Sequence, residues 1–221
     1  MASKNNTSNI LVAIVNYNFS DNADFLKKKF QNKFPTIIID SSSKTHPNGV
    51  DFIIENQYYT GQWNCAVNKA IDNGYDWLFF IASDLTFIID QDIDIIIKDI
   101  IANNSIGIYT PSVDKESRCS FTDLFNQNTN NIRYTNLVEG FCFLARTQIL
   151  KHMYPVNYSQ NKYGWCLDTT MCDICTKKRY KIVVDDRIVI HHPQSLTSID
   201  RNLASIQCNE YRGLFAGKTY E

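Results

Sequence analysis

The sequence predicts a single α/β domain with a mostly parallel central sheet and helices on both of its faces. Three observations lead there. Short, continuous apolar runs rich in β-branched residues recur along the chain, as in strands buried on both faces. Segments with helical periodicity alternate with those runs. Polar residues gather just after the runs, and sheets of this kind hold ligands beyond the carboxyl ends of their strands.

The elements follow in order. Ile10 to Val15 is the first strand, ended by Asn16-Tyr17-Asn18. A helix from about Asp21 to Lys33 comes next, capped by Ser20 or Asp21. Thr36 to Ile39 is a second strand and ends at Asp40 and a serine run that includes Ser42; Phe52 to Ile54 is a third. A helix spans about Gly61 to Asn73, and Trp77 to Ile81 forms a fourth strand ending at Ala82-Ser83-Asp84. Ile93, Ile96, Ile97, Ile100 and Ile101 then fall on one face of an amphipathic helix. Ile106 to Tyr109 is a strand, and residues 112–136 are polar and poor in pattern, as in long loops or a hairpin. Phe141 to Ala145 is a strand, Thr147 to Met153 a short helix and Asp168 to Lys178 a longer one. Tyr180 to Val184 and Ile188 to His191 read as two further strands, and the last twenty or so residues as a C-terminal helix.

No internal repeat and no linker rich in Pro, Gly or Ser divides the 221 residues. One domain is therefore expected over 1–221, with one half at about 10–110 and the other at about 111–221. Twenty-two basic residues against twenty-three acidic ones lack the electrostatic footprint of a nucleic-acid binder. No apolar stretch approaches the roughly 20 residues of a spanning helix. The polar start, Met1 to Ser8, has no apolar region of a signal peptide. These features predict a soluble, cytoplasmic protein, peripheral to a membrane only through a substrate. Nothing in them excludes an oligomer. Seven scattered cysteines, an odd number, suit reduced thiols better than a disulfide framework.

The sharpest local signal is the apolar strand that delivers Asp84 to its tip beside Ser83. A diphosphate calls for a hard divalent cation, and such a cation takes oxygen ligands such as Asp. The plain alternative is that Asp84 caps the turn after the strand. No G-x-G-x-x-G or Walker loop occurs.

Around that strand lie Asp40 to Ser43 at the end of the second strand, and Gly61, Gln62, Asn64 and Ala66 on the following helix. In the second half lie Val138-Glu139-Gly140 through Arg146, Gly164-Trp165-Cys166-Leu167-Asp168, and Ile188 to His191-His192. Together and in this order these segments resemble family 2 glycosyltransferases, which have the Rossmann-like A-type (GT-A) fold. The resemblance runs from about residue 10 to 192. It departs from the family pattern at three points. The metal-binding Asp-x-Asp is reduced to Ala82-Ser83-Asp84, Leu167 stands in place of a Glu, and Thr170 in place of a helix acid.

The resemblance implies a transferase that moves a sugar from a nucleotide-diphosphate donor, with a UDP-sugar favoured. The acceptor would be a hydroxyl of a glycan, lipid-linked or protein-linked. A hexosyl transfer with inversion is expected. Asn16, Asp40, Ser42, Gln62, Asn64, Ser83 and Asp84 would meet the donor. Asp84 with His191 or His192 would hold Mn²⁺ or Mg²⁺. Asp168 would be the general base, kept ionised by the start of its helix, and Glu139, Gly140 and Trp165 would lie on the acceptor side. The alternatives are a sugar nucleotidyltransferase, or a catalytically degenerate sugar- or nucleotide-binding domain. The first usually carries a Gly-rich basic loop after its first strand, and residues 16–24 hold neither Gly nor Lys or Arg.

Other groups read as structural. Cys172 and Cys175 form a C-x-x-C inside a helix, where they serve packing as well as they would serve zinc or redox chemistry. His46 and His152 sit in polar or terminal contexts and read as solvated. Tyr58, Tyr59 and Trp63 read as core or rim aromatics. Trp165 is either such a rim residue or a face on which a sugar ring stacks.

Overall fold

The computed structural model describes residues 9–193 and 199–220. The first half runs β1 (Ile10–Asn16), α1 (Ser20–Phe30), β2 (Thr36–Asp40), β3 (Phe52–Ile53), α2 (Tyr58–Asp72), β4 (Trp77–Ala82), β5 (Thr86–Ile89) and α3 (Ile93–Ala102). The second half runs β6 (Ile106–Val113), a 3₁₀ turn at Thr122–Leu124, β7 (Ile132–Thr135), β8 (Cys142–Arg146), α4 (Thr147–Leu150), α5 (Leu167–Lys177), β9 (Lys181–His191) and α6 (Arg201–Gly213).

Among the described residues, nine strands join one sheet in the order β3-β2-β1-β4-β8-β6-β9-β5, with β7 also on β9. The strands β1 to β4 are mutually parallel. Strand β8 is antiparallel to both β4 and β6, so β6 and its parallel partner β9 share the direction of β1. Only β5, β7 and β8 oppose it, so the described sheet is mostly parallel.

Alternation along β1 decides the layering, because successive strand residues face opposite sides. Ile10, Val12 and Ile14 pack with Leu26 and Phe30 of α1 and with the isoleucines of α3. Leu11, Ala13 and Val15 face the other way, onto Trp63, Ala66 and Val67 of α2 and onto α5. Both faces are thus covered by helices. Register then aligns one polar edge: Asn16 pairs with Asp40, and Val15 with Ala82, so the polar tips of β1, β2 and β4 end side by side.

The structure differs from the sequence reading in several places. Strand β5 was not anticipated; it is an edge strand, largely exposed and without apolar alternation. Helix α1 begins at Ser20 and carries no side-chain cap. The two strands expected around Tyr180 and Ile188 are one strand, β9, which continues through Asp185-Asp186-Arg187 with a shift of register against β6 between Asp185 and Val189. Adjacent carboxylates suggest a turn, but here each is buried and paired. Arg187 contacts both oxygens of Asp185 at 2.9 and 2.8 Å. Arg133 does the same for Asp186 at 2.9 Å each. Arg133 also donates to Asp123 O and Phe125 O, so this pair pins the 112–136 segment to the sheet.

The expectation of reduced cysteines is corrected at one pair. Cys166 and Cys208 form a disulfide, with Cα atoms 5.3 Å apart and a sequence separation of 42. It ties α6 to the residue preceding α5, and sequence spacing could not show that these two meet. Cys172 and Cys175 are free and buried in α5. Burial pushes both thiols up, Cys175 to about 12.

Gly107 in β6 lets α5 approach the sheet. A Cβ there would lie 2.6 Å from Tyr180 Cβ and 2.7 Å from Cys175 Sγ. Gly107→Ala is expected to lower stability by about 1–3 kcal/mol through overpacking. At this chain length that is a fall of roughly 2–12 °C in melting temperature. An unchanged melting curve would mean that Tyr180 and α5 yield without cost.

Candidate active site

The floor of the site is a closed polar network at the tips of β1, β2 and β4. Asn16 Nδ2 donates to Asp40 Oδ1 at 2.6 Å and to Ser43 Oγ at 3.1 Å. Asn16 Oδ1 accepts from Ser83 Oγ at 2.6 Å and from the Phe19 N–H at 3.1 Å. Gln62, on α2, donates to the Asn16 carbonyl at 2.9 Å. Asp40 is fully buried. Burial pushes its carboxyl up, but hydrogen bonds from Ser43, Asn16 and His46 outweigh that and hold it below the ordinary carboxylate range. Ser42 stands at the rim, in a left-handed conformation with φ of 54°, and donates to Ile54 O at 2.8 Å. Asn64 sits apart from this network. Its amide clamps the backbone of Val156, donating to the carbonyl at 2.8 Å and accepting from the N–H at 2.9 Å.

Next to the floor, Asp84 and His192 come together from opposite halves of the chain. Asp84 Oδ2 lies 3.5 Å from His192 Nε2. Asp84 Oδ1 is buried and has no hydrogen-bond partner. A turn-capping aspartate would use that oxygen on a backbone N–H, and this one does not. His192 Nδ1 is 3.0 Å from Arg118 O. A carbonyl only accepts, so Nδ1 carries a proton, and Nε2 is the atom turned toward Asp84. Phe141 stacks on the ring with centroids 4.2 Å apart. Burial pushes the His192 pKa down, but Asp84 and the Arg118 carbonyl outweigh it and hold it above the ordinary histidine value. His191 faces away and bonds Asp114 at 3.0 Å. Of the two histidines, only His192 meets Asp84.

This arrangement fits a divalent cation. One carboxylate oxygen lacks any partner, and the facing imidazole has its other nitrogen fixed by a carbonyl, as metal-ligating histidines usually do. No cluster of three or more His, Cys, Asp or Glu suited to a metal occurs among the described residues. Two protein ligands would therefore leave most of the coordination sphere to diphosphate oxygens and water.

Asp168 is the second residue of α5 and lies near Glu139 and Gly140. Thr169 N–H donates to Asp168 Oδ1 at 2.7 Å. Burial raises its carboxyl to about 6, with the charge of Glu139 adding to the rise, against the pull of the Thr169 and Gly140 N–H groups. The N–H groups at the helix start offset only part of the desolvation, and at about 6 the group is still mostly ionised at pH 7. Glu139 is held by Ser120 N and Oγ, both at 2.9 Å. Trp165 is 37% exposed, three residues before Asp168. Its carbonyl accepts from Asn161 at 2.9 Å.

Sequence reasoning missed Tyr59. Its hydroxyl donates to Gly140 O at 2.7 Å, and Asp168 lies close enough for its charge to raise the hydroxyl pKa further after burial. The ring is wedged between two glycines: a Cβ on Gly164 would sit 2.4 Å from Tyr59 Cδ1, and one on Gly140 would sit 2.7 Å from its hydroxyl. Those glycines were the available signal, since each permits a close approach that any side chain would block.

Among solved structures, the chain is similar to GalNAc-T7 crystallised with UDP, GalNAc and Mn²⁺. The identity is 10% and the TM-score 0.63, over 96% of this chain and 50% of that one. It is also similar to residues 1–349 of TarS from S. aureus in complex with UDP-GlcNAc, at 10% identity and TM-score 0.65, over 96% of this chain and 68% of that one. The chain thus spans about half the length of the first and about two thirds of the second. No family model and no curated protein matches the sequence. Both structural neighbours are GT-A glycosyltransferases. With so little identity, the likeness lies in the course of the backbone, and that course makes this chain a GT-A-fold domain.

Proposed function

We propose that the protein is a glycosyltransferase that moves a hexosyl group, with inversion, from a nucleotide-diphosphate donor to an acceptor hydroxyl. A UDP-sugar is the favoured donor, and the acceptor is a glycan or a lipid- or protein-linked group. The observation that carries this reading is the Asp84–His192 pair, with its partnerless carboxylate oxygen, set beside the Asn16–Asp40 floor.

In this reading Asn16, Asp40 and Ser43 form the nucleoside floor, and Ser42 lies at its rim. Gln62 and Ser83 brace it from α2 and β4. Asp84 and His192 would hold Mn²⁺ or Mg²⁺. When bound, the cation offsets negative charge on the leaving diphosphate. Asp168 takes the proton of the acceptor hydroxyl as that oxygen attacks the anomeric carbon from the face opposite the diphosphate. A carboxylate with a pKa near the working pH suits this role, because it is ionised when needed yet more basic than an exposed one. Its raised value also favours an enzyme over a degenerate binding domain, which has no use for a tuned base. Trp165 and the 154–166 segment would form one wall of the acceptor site, with Glu139 and Gly140 opposite.

The test is a panel of UDP, GDP, CDP and their sugars with and without Mn²⁺, read by thermal shift. A ligand that binds only the folded state raises its apparent stability. UDP or a UDP-sugar with Mn²⁺ is expected to give the largest rise. A flat response to every nucleoside diphosphate would overturn the reading.

A further inference from the structure

The base end of the donor floor is closed by the protein's own side chain. Both oxygens of Asp40 are fully engaged. Oδ1 accepts from Asn16 Nδ2 at 2.6 Å and from Ser43 Oγ at 2.5 Å. Oδ2 accepts from Ser43 N–H at 3.0 Å and lies 2.6 Å from His46 Nδ1. The carboxylate is an acceptor only, so His46 Nδ1 carries the proton and donates it. The Asp40 side chain has no exposed surface, whereas that of His46 is 44% exposed. Of the groups bonded to Asp40, His46 is the one open to solvent; Asn16 and Ser43 are buried in the floor.

We infer that His46 is a gate on the nucleobase site: its Nδ1–H holds the place at Asp40 Oδ2 that the ring N–H of a uracil-type base takes when the donor binds. The inference rests on the glycosyltransferase reading above. A neutral imide N–H can replace the imidazole N–H one for one, so the buried oxygen is never left without a donor. A cytosine ring presents an acceptor nitrogen at the same edge. It would leave the carboxylate unpaired or meet it lone pair to lone pair, which a buried charged group tolerates poorly. Exchange at His46 would therefore select the base as well as admit it.

The surrounding loop shows which part moves. The Thr45 carbonyl accepts from Ser20 Oγ. The N–H groups of Asn48 and Gly49 both donate to Asp24 at 2.8 Å. The backbone on either side of His46 is thus anchored to α1 and to the residue that opens it. Opening needs only a rotamer change of the imidazole, not a loop rearrangement. The Ser43 N–H, the other donor to Oδ2, stays in place throughout.

The experiment is calorimetric titration of UDP and CDP, with Mn²⁺, into the wild-type protein and His46→Ala, with melting curves for both. His46 is on the surface, so the variant is expected to fold; His46→Gln serves as a second variant. Removal of the gate is expected to tighten UDP binding by roughly tenfold or more, the worth of a hydrogen bond to a charged group. Preference for UDP over CDP is expected to persist, because Asp40 remains. Weaker UDP binding in both variants would mean that His46 itself contacts the base, and would overturn the gate. Unchanged UDP affinity would overturn it too. Wild-type protein and variants that all bind neither nucleotide would instead overturn the donor reading on which the gate rests. NMR gives an independent check: saturating UDP should release the His46 imidazole from Asp40 and shift its ring signals, and signals that stay fixed while UDP binds would exclude a gate.

Discussion

Replacing Asp168 by Asn is expected to slow sugar transfer at least a hundredfold while the melting temperature stays level or rises. A positioned general base contributes roughly 10²- to 10⁴-fold in rate, and Asn keeps the shape but not the basic oxygen. The stability half follows from the sign of the pKa shift. The folded chain holds Asp168 at about 6, above its ordinary 3.8. Folding therefore favours the protonated form, and that favourable contribution is complete below about pH 4 and lost as pH rises through 6. At pH 7–8 the ionised carboxylate is a burden on the fold, on the order of 1–3 kcal/mol from a shift of about two units. A neutral Asn lifts the burden. Wild-type activity should fall below about pH 6 as the base takes up its proton. Rates and melting curves for both proteins from pH 5 to 8 check all of this together. A near-normal rate in Asp168→Asn would remove it as base and turn attention to Glu139.

Asp84→Ala should abolish the strengthening of nucleoside-diphosphate binding by Mn²⁺ or Mg²⁺. In the wild type that strengthening should be at least about tenfold, the scale on which even supporting residues of a metal site act. His192→Ala should remove most of it as well. His191→Ala should leave it, because that ring is engaged with Asp114. The readout is calorimetry of UDP with and without metal in each protein, which needs no turnover. Equal wild-type affinities with and without metal would end the metal assignment for Asp84 and His192 together.

Much of the fold was legible because burial on two faces leaves a plain trace. Continuous runs such as Ile10 to Val15 and Trp77 to Ile81 can be little else than strands covered on both sides. Their polar ends marked the edge where the candidate site gathers before any register was known. What escaped depends on contacts between distant segments. His191 and His192 were inseparable in sequence, since adjacent strand residues face opposite ways and nothing local says which faces Asp84. His46 reads as a solvated histidine and is indeed half in water, yet the turn after β2 carries it back onto Asp40. Asp185 and Asp186 mimic a turn because their arginine partners lie elsewhere in the fold or are visible only by contact. Asn64 matches a family position, and its amide grips Val156, ninety-two residues away. The Cys166–Cys208 bond depends on where α6 docks, which no spacing encodes.

The side chain of Asn16 also bears on the timing of order in this protein. Its amide and carbonyl groups hold β2, β4 and the start of α1 in fixed relation. In the proposed reading, the conformational entropy of assembling a nucleoside platform is thus surrendered once, as the chain folds, and not again at each encounter. Under the proposed gate, a donor arriving there would meet a surface that needs only one imidazole to turn. By the same token, damage to Asn16 would show first in the empty protein, as a loosened fold, before any ligand reported it.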